Sequence, residues 1–442
     1  MATTADLGCE QQPAGVRDRV FGALAIHVPV LAWCVYSGLL VEGRLRIGAS
    51  DDNYFKYLAA AFLHGRLDVT PGGYTHDLVH YGGKIYLYWP PMPAVALMPL
   101  VRWLRTGGMH DNLLVATLGA LNVALLLGVL SRLSRRYELG LRPAELLCIG
   151  LFWAFGTTHY YLSTIGRVWY VSEVMAQTFL LLSVLILLGG TSRLKLVVPG
   201  LCFAAAAYSR NDLVFAFFFL AAIYWNRHRT RHFVQDACWF LVPFLLFSAA
   251  NMAYNAARFD GRWFDNGTSY HHMAPYFREK FERHGFLSLY YIPYNFWIEV
   301  LRPVPLMPRS PYIACDPEGF GFLWASPVFF LGAPTLLGFW QAVRAHFGRS
   351  PSTAVAVLTR ADTLLMGAAG LSAVAISLVV FSVMGTGWGQ FGSRYSLDYQ
   401  LMVLVFCLYC LKLWRGKVLY SVGLVLLALA MYIQHASTHC TL

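Results

Sequence analysis

The chain has 442 residues, 57% of them hydrophobic and only 13% charged, with a mean hydropathy of +0.51. Soluble domains carry about 25% charged residues, so a soluble fold is excluded and an all-α polytopic membrane protein is expected. The formal charge of +11 lies in short basic clusters between apolar runs, which is a topology signal and not a nucleic-acid surface.

In chain order, residues 1–19 are polar and end in Arg17 and Arg19, directly before the first apolar run. Without a small-residue cleavage site after that run, it reads as an uncleaved signal anchor. The candidate spans are 20–41, 111–131, 143–160, 172–190, 196–209 with 212–225, 233–256, 321–344, 361–384, 395–413 and 417–436, each judged against the roughly 20 apolar residues that cross a bilayer. The two parts around residue 210 are short, and basic residues flank both. They read as a pair of thin-spanning helices meeting near Arg210. "YWPPMPAVALMPLVRWL" (88–104) is apolar but short and proline-rich, which suits a juxtamembrane helix. About eleven helices are therefore expected, in one membrane domain over 1–442 with no separate soluble domain.

Charge orients this path. With the N-terminus in the cytoplasm, the inner turns hold half of the 34 Lys and Arg, including Arg132, Arg135, Arg229, Arg344 and Arg415, but under a third of the 23 Asp and Glu. Basic short loops stay inside. Two large segments, 42–110 and 257–320, and a short one at 385–394 then fall outside. Cysteine adds little: "CLYC" (Cys407, Cys410) lies inside an apolar run and reads as packing, while Cys315 and Cys440 are both on the outer side, where they could meet as a disulfide but need not.

Polar residues gather on that outer side. "GASDDNYFKYLAAAFLHGRLDV" sets Asp51 and Asp52 at the head of the first outer segment, and Lys84 and Tyr88 follow. The turn "STIGRVWYVSE" offers Arg167 and Glu173, Arg210 lies at the helix break, and "RFDGRWFDNGTSYHH" adds Tyr270 and His271. "GWGQFGSRYSLDY" contributes Arg394 and Tyr395. Each has a plain alternative. The aspartates suit a helix cap, Arg210 a snorkelling side chain, and the tyrosines an interfacial belt. The pair His271–His272 is two ligands without a third, so no metal is expected. The combination suits an anionic lipid-borne substrate, because arginine forks bind phosphate oxygens and a carboxylate can take the proton of an attacking hydroxyl.

The chain resembles the GT-C class of integral-membrane glycosyltransferases, near the polyprenyl-phosphate-sugar branch of protein O-mannosyltransferases and aminoarabinose transferases. The resemblance rests on "SDDNYFKYLAAAFLHGRLD" with "DLVHYGGKIYLYWPPMPAVALMPL", on "YYLSTIGRVWYVSE", on "NAARFDGRWFDNGTSYHH" and on "GQFGSRYSLDY", in that order. It implies an inverting transfer of a monosaccharide from a polyprenyl-phosphate donor to a hydroxyl acceptor at the outer face of a plasma membrane. Asp51 would be the general base and Asp52 would hold the loop, although many relatives have Asp-Glu there. Arg394 and Arg210 would meet the donor phosphate, with Lys84 and Arg167 as further candidates. Tyr88, Glu173, Tyr270, His271 and Tyr395 would contact sugar or acceptor. The implied partners are the lipid-linked donor, a glycan, lipid or protein acceptor and membrane lipids, with no cofactor. The rival readings are a lipid or lipid-linked sugar transporter, which also needs buried charges and broken helices, and a non-catalytic scaffold with the same fold.

Overall fold

A computed structural model describes residues 14–73, 75–189, 196–228, 232–347 and 357–440. The inner basic residues Arg193, Lys195, Arg229, Arg231 and Arg349 lie outside the described residues. The protein is an all-α bundle, as a chain whose backbone must bond to itself in lipid requires. Helix α1 (Ala14–Tyr36) leads into the first of the two long segments expected outside, 42–110, which holds α2 (Tyr54–Leu63), strands β1 (Val79–Tyr81) and β2 (Lys84–Tyr86), and the proline-rich α3 (Met92–Leu104). The bundle continues through α4 (Asp111–Arg136), α5 (Pro143–Phe155), the four-residue α6 (His159–Leu162), α7 (Val168–Gly189), α8 (Val197–Ala207), α9 (Phe217–His228) and α10 (Phe233–Arg258). The second segment expected outside, 257–320, carries α11 (Pro275–His284) and α12 (Ile292–Phe296), and α13 (Phe322–Ala325) follows it. Helices α14 (Gly332–Phe347), α15 (Arg360–Phe381), α16 (Leu397–Trp414) and α17 (Lys417–Ala436) complete the chain.

Among the described residues eight helices are long and apolar enough to cross a membrane, and α5, α8 and α9 are the shorter helices that stand at the remaining expected spans. The break anticipated near residue 210 is present: Arg210 has extended backbone between α8 and a tight turn over Asn211–Ala216. Helix α5 ends sooner than 143–160 suggests. After Gly156, Thr157 bonds its hydroxyl back to the Trp153 carbonyl at 2.8 Å, and the chain bends into α6. The β-hairpin was not anticipated, yet its cause is legible. Gly82 and Gly83, both at positive φ, make the two-residue turn that closes a twisted hairpin.

Helices α7 and α16 are the most buried and form the centre, while α1, α10, α14 and α17 lie at the periphery. Cys315 and Cys440 are disulfide-bonded, with Cα atoms 5.6 Å apart, tying the second long segment to the end of α17. Cys407 and Cys410 are buried in α16 as free thiols, and no metal-binding group of His, Cys, Asp or Glu occurs among the described residues.

Candidate active site

The acidic pair sits on a fixed platform. Asp111, at the start of α4 and fully buried, accepts from Asn53 Nδ2 and the Ser50 backbone N–H, both at 2.6 Å, and from Lys56 Nζ at 2.7 Å. Lys56 also donates to the Ser50 carbonyl at 2.7 Å. A buried ion pair is tolerated only when its remaining hydrogen bonds are made, and here they clamp residues 50–56 from both ends. The two aspartates diverge from that clamp. Asp51 is exposed, 3.4 Å from the Tyr57 hydroxyl. Asp52 is half-buried with its carboxylate 3.5 Å from Arg167 Nε. Burial lifts the Asp52 carboxyl above the ordinary aspartate range, Asp51 adds to the rise, and Arg167 and His76 oppose it.

Beside Asp52 opens a cavity of about 360 Å³. Arg167, Arg210 and Arg394 all line it, brought by three separate helix ends, together with Tyr88, Tyr395 and the loop 383–389. Arg210 grips Asp398 through Nε at 3.0 Å and Nη2 at 2.6 Å, and stands 3.7 Å from both Glu173 and Asp212. Arg394 reaches Glu173 at 3.5 Å and donates to the Gly387 carbonyl at 2.7 Å, while its backbone N–H donates to Gln390 Oε1 at 2.9 Å. Both guanidiniums lie over the Tyr395 ring, at 5.0 and 4.7 Å. Buried guanidiniums held in this way are preorganised donors, which is the arrangement that stabilises an anion most effectively.

The other wall joins the two long segments. The backbone N–H of His272 donates to the Leu78 carbonyl at 2.8 Å, and Val79 bridges His271. Asp77, at positive φ, receives the Trp169 indole N–H at 3.1 Å and faces His271 at 3.2 Å and His76 at 3.5 Å. Burial works to lift the Asp77 carboxyl, but its contacts with His271, His76 and Trp169 hold it below the ordinary aspartate value. Tyr88 stacks on Trp89 at 3.9 Å and meets His271 at 4.5 Å. Burial, with Asp77 and Tyr395 nearby, raises its hydroxyl well above the usual tyrosine range. Arg258, the buried arginine of the "RFDGRW" passage, donates to the Leu87 carbonyl and so pins the strand that presents Tyr88.

Six of the sequence candidates therefore share one cavity: Arg167, Arg210, Arg394, Tyr88, His271 and Tyr395. Asp52 stands at its edge through Arg167. Others do not reach it. Lys84 is at the exposed tip of the hairpin, which packs through Tyr81 and Tyr86 on Phe259. Tyr270 is taken up by Arg262 and Tyr81. Glu173 is fully buried behind the arginines and serves them as a counter-charge, with no surface for sugar or acceptor. Neither aspartate lines the cavity itself; Asp52 is tied to the lining residue Arg167, whereas Asp51 meets Tyr57, which does not line it. From the sequence Asp77 and Trp169 count only among the residues of the outer side, Trp169 as an interfacial belt residue, and nothing singles out Trp388. Asp77 follows a histidine in a glycine-rich turn and carries no signal of its own until the fold brings Trp169 and His271 to it.

No family model matches the chain, and no curated protein matches it. Among solved structures it is similar to ArnT from Cupriavidus metallidurans bound to undecaprenyl phosphate, with a TM-score of 0.47 and 13% identity over 93% of this chain and 63% of that one. It is also similar to the apo oligosaccharyltransferase of Archaeoglobus fulgidus, with a TM-score of 0.47 and 14% identity over 93% of this chain and 55% of that one. The chain thus spans less than two thirds of the length of either protein.

Proposed function

We propose that the chain is an inverting glycosyltransferase that moves a monosaccharide from a polyprenyl-phosphate donor to a hydroxyl acceptor at the outer face of the plasma membrane. The observation that carries this reading is the convergence of Arg167, Arg210 and Arg394 on one cavity with Asp52 at its edge. An anion-binding floor and a carboxylate at one rim suit a reaction in which a phosphate departs as a hydroxyl attacks.

Arg394 and Arg210 hold the donor phosphate, and Arg167 approaches it from the side of Asp52. The acceptor oxygen attacks the anomeric carbon from the face opposite the phosphate. The new C–O bond forms as the bond to the phosphate oxygen breaks, the acceptor proton passes to Asp52, and the lipid phosphate leaves with the electron pair. A carboxylate with a raised pKa is the stronger base, which favours Asp52 over Asp77 for this step. Asp51 is the neighbour that adds to that rise. Asp77 orients His271 and Trp169.

The test is transfer by the purified chain in liposomes, given radiolabelled polyprenyl-phosphate sugars and a panel of hydroxyl acceptors. Wild type should transfer at least one sugar, Arg394→Ala should lower kcat/KM by about 100-fold or more, and Asp52→Asn should abolish turnover while donor binding persists. Donor binding without transfer by wild type across the panel overturns the proposal in favour of a carrier or scaffold.

A further inference from the structure

We infer that Tyr276 and Trp388 form a carbohydrate-binding subsite beside the cavity, so that the acceptor is a glycan; this rests on the transferase reading above. Trp388 lines the cavity and is nevertheless 48% exposed, and Tyr276, on α11 next to the lining residue Phe277, is 49% exposed. Their ring centroids lie 6.4 Å apart at 44°, with Phe277 set perpendicular to Trp388 at 6.1 Å as a back wall. The two half-exposed rings thus form an open aromatic corner beside the cavity.

The backbone beneath Trp388 shows that this placement is enforced. Gly387, Trp388 and Gly389 have φ of 98°, 45° and 61°. For a tryptophan the left-handed region is strained, and such strain persists only where surrounding structure over-determines it. Here it does. The Gly387 carbonyl accepts from Arg394 and the Gly389 carbonyl accepts from the Tyr170 hydroxyl at 2.6 Å. A Cβ on Gly387 would lie 2.7 Å from Arg394 Nε. The loop is fastened on both sides of the indole, and the indole is turned outward over the cavity.

An exposed, immobilised indole beside a phenol offers a flat apolar face with polar edges. That is the surface a sugar ring meets with its C–H face while its hydroxyls bond at the rim. Lys280 Nζ, 4.2 Å from the centroid of the Tyr276 ring, supplies donors there. On the transferase reading the donor's own sugar is tethered to a phosphate at the buried Arg394, whereas these two rings are about half exposed. They therefore meet the substrate that arrives from the aqueous side. An interfacial membrane anchor would need neither the cavity nor the strained backbone.

The test is saturation-transfer difference NMR on the detergent-solubilised full chain, with free tetra- to hexasaccharides of glucose, galactose, mannose and arabinose as probes. At least one should bind wild type through its ring protons. Trp388→Ala and Tyr276→Ala should each weaken it by about fivefold to tenfold, and Trp388→Phe, which keeps the ring, by about threefold or less. Transfer assays with that oligosaccharide should show the loss in acceptor KM, with kcat and donor KM unchanged. Oligosaccharide binding indifferent to Trp388→Ala overturns the inference, as does wild-type transfer to peptide or lipid acceptors with no oligosaccharide bound. Binding through Trp388 with no transfer from any donor supports the subsite and overturns the transferase reading instead.

Discussion

Lys56 and Asp111, neither in contact with solvent, form an ion pair at 2.7 Å directly behind the residues that bear Asp51 and Asp52. The pair lies on two elements far apart in the chain, α2 and α4. It fixes where the first long segment leaves the bundle, and so fixes the distance between the acidic pair and Arg167.

Breaking that pair should be costly. Lys56→Met leaves the Asp111 charge buried without its cation, a change that destabilises by about 3–5 kcal/mol. Thermal unfolding in detergent should show a lowered midpoint, and adding Asp111→Leu should recover part of it. Full recovery is not expected, because Asp111 also holds Ser50 and Asn53. An unchanged midpoint in Lys56→Met would refute the clamp.

The acid limb of the transfer rate should report Asp52. Its raised folded pKa places the limb above the ordinary aspartate value of about 3.9, and activity falls as pH drops through it. Arg167 lowers this pKa and Asp51 raises it. Arg167→Gln should therefore move the limb to higher pH and Asp51→Asn to lower pH, relative to wild type. Shifts in one common direction would contradict the assignment.

Glu299 gives a stability signature. It is buried beside the arginine loop, Ser393 donates to its carboxylate, and burial pushes it up to about 8 against the hydrogen bonds from Ser393 and Gln390. Its folded pKa exceeds the unfolded value, so its stabilising contribution is complete below the unfolded pKa and is lost as pH rises through about 8. The loss approaches roughly 1.4 kcal/mol per pH unit between those values. Glu299→Gln, a mimic of the protonated form, should flatten the decline in a series of melting curves from pH 5 to 8.5. An equally steep decline in the variant would exclude Glu299 as its source.

The disulfide should be both stabilising and topologically informative. Its 125-residue separation is long, and bonds of this kind contribute about 2–4 kcal/mol. Cys315→Ser should lower the melting midpoint of unreduced protein towards that of wild type in reductant. In sealed cells a membrane-impermeant maleimide should label Cys315 and Cys440 only after reduction. Labelling that requires permeabilised cells would reverse the orientation.

Much of this was legible in the sequence because membrane helices announce themselves by length and apolarity. The arginines stood out because each breaks an apolar run at a helix end, where few residues compete for attention. That Cys315 and Cys440 could meet was legible for a similar reason, both residues falling outside the spans. The side on which a residue points was not legible. Adjacent Asp51 and Asp52 look equivalent in a string, and only the clamp from Asp111 turns one outward and the other to Arg167. Lys84 and Tyr270 were drawn in by their neighbours in outer turns, but hairpin packing and Arg262 claim them. Asp77 and Trp388 depend on segments that meet only in the fold, so no local pattern marks them. Lys56 did leave a trace, as a lone cation in the apolar run "YFKYLAAAFL".

On the proposed function, the carboxylates behind the arginines bear on how fast a product phosphate is let go. Three acids, Glu173, Asp212 and Asp398, stand against Arg210 and Arg394 before any substrate arrives. Arginines left bare in a dry pocket would hold a lipid phosphate for long periods. The lipid phosphate of the proposed reaction, once its sugar has gone, gains a further negative charge and meets these carboxylates as repulsion, which shortens its residence. On the proposed reaction, the buried acids trade affinity for turnover, and neutralising one of them would convert a catalyst into a trap for its own product.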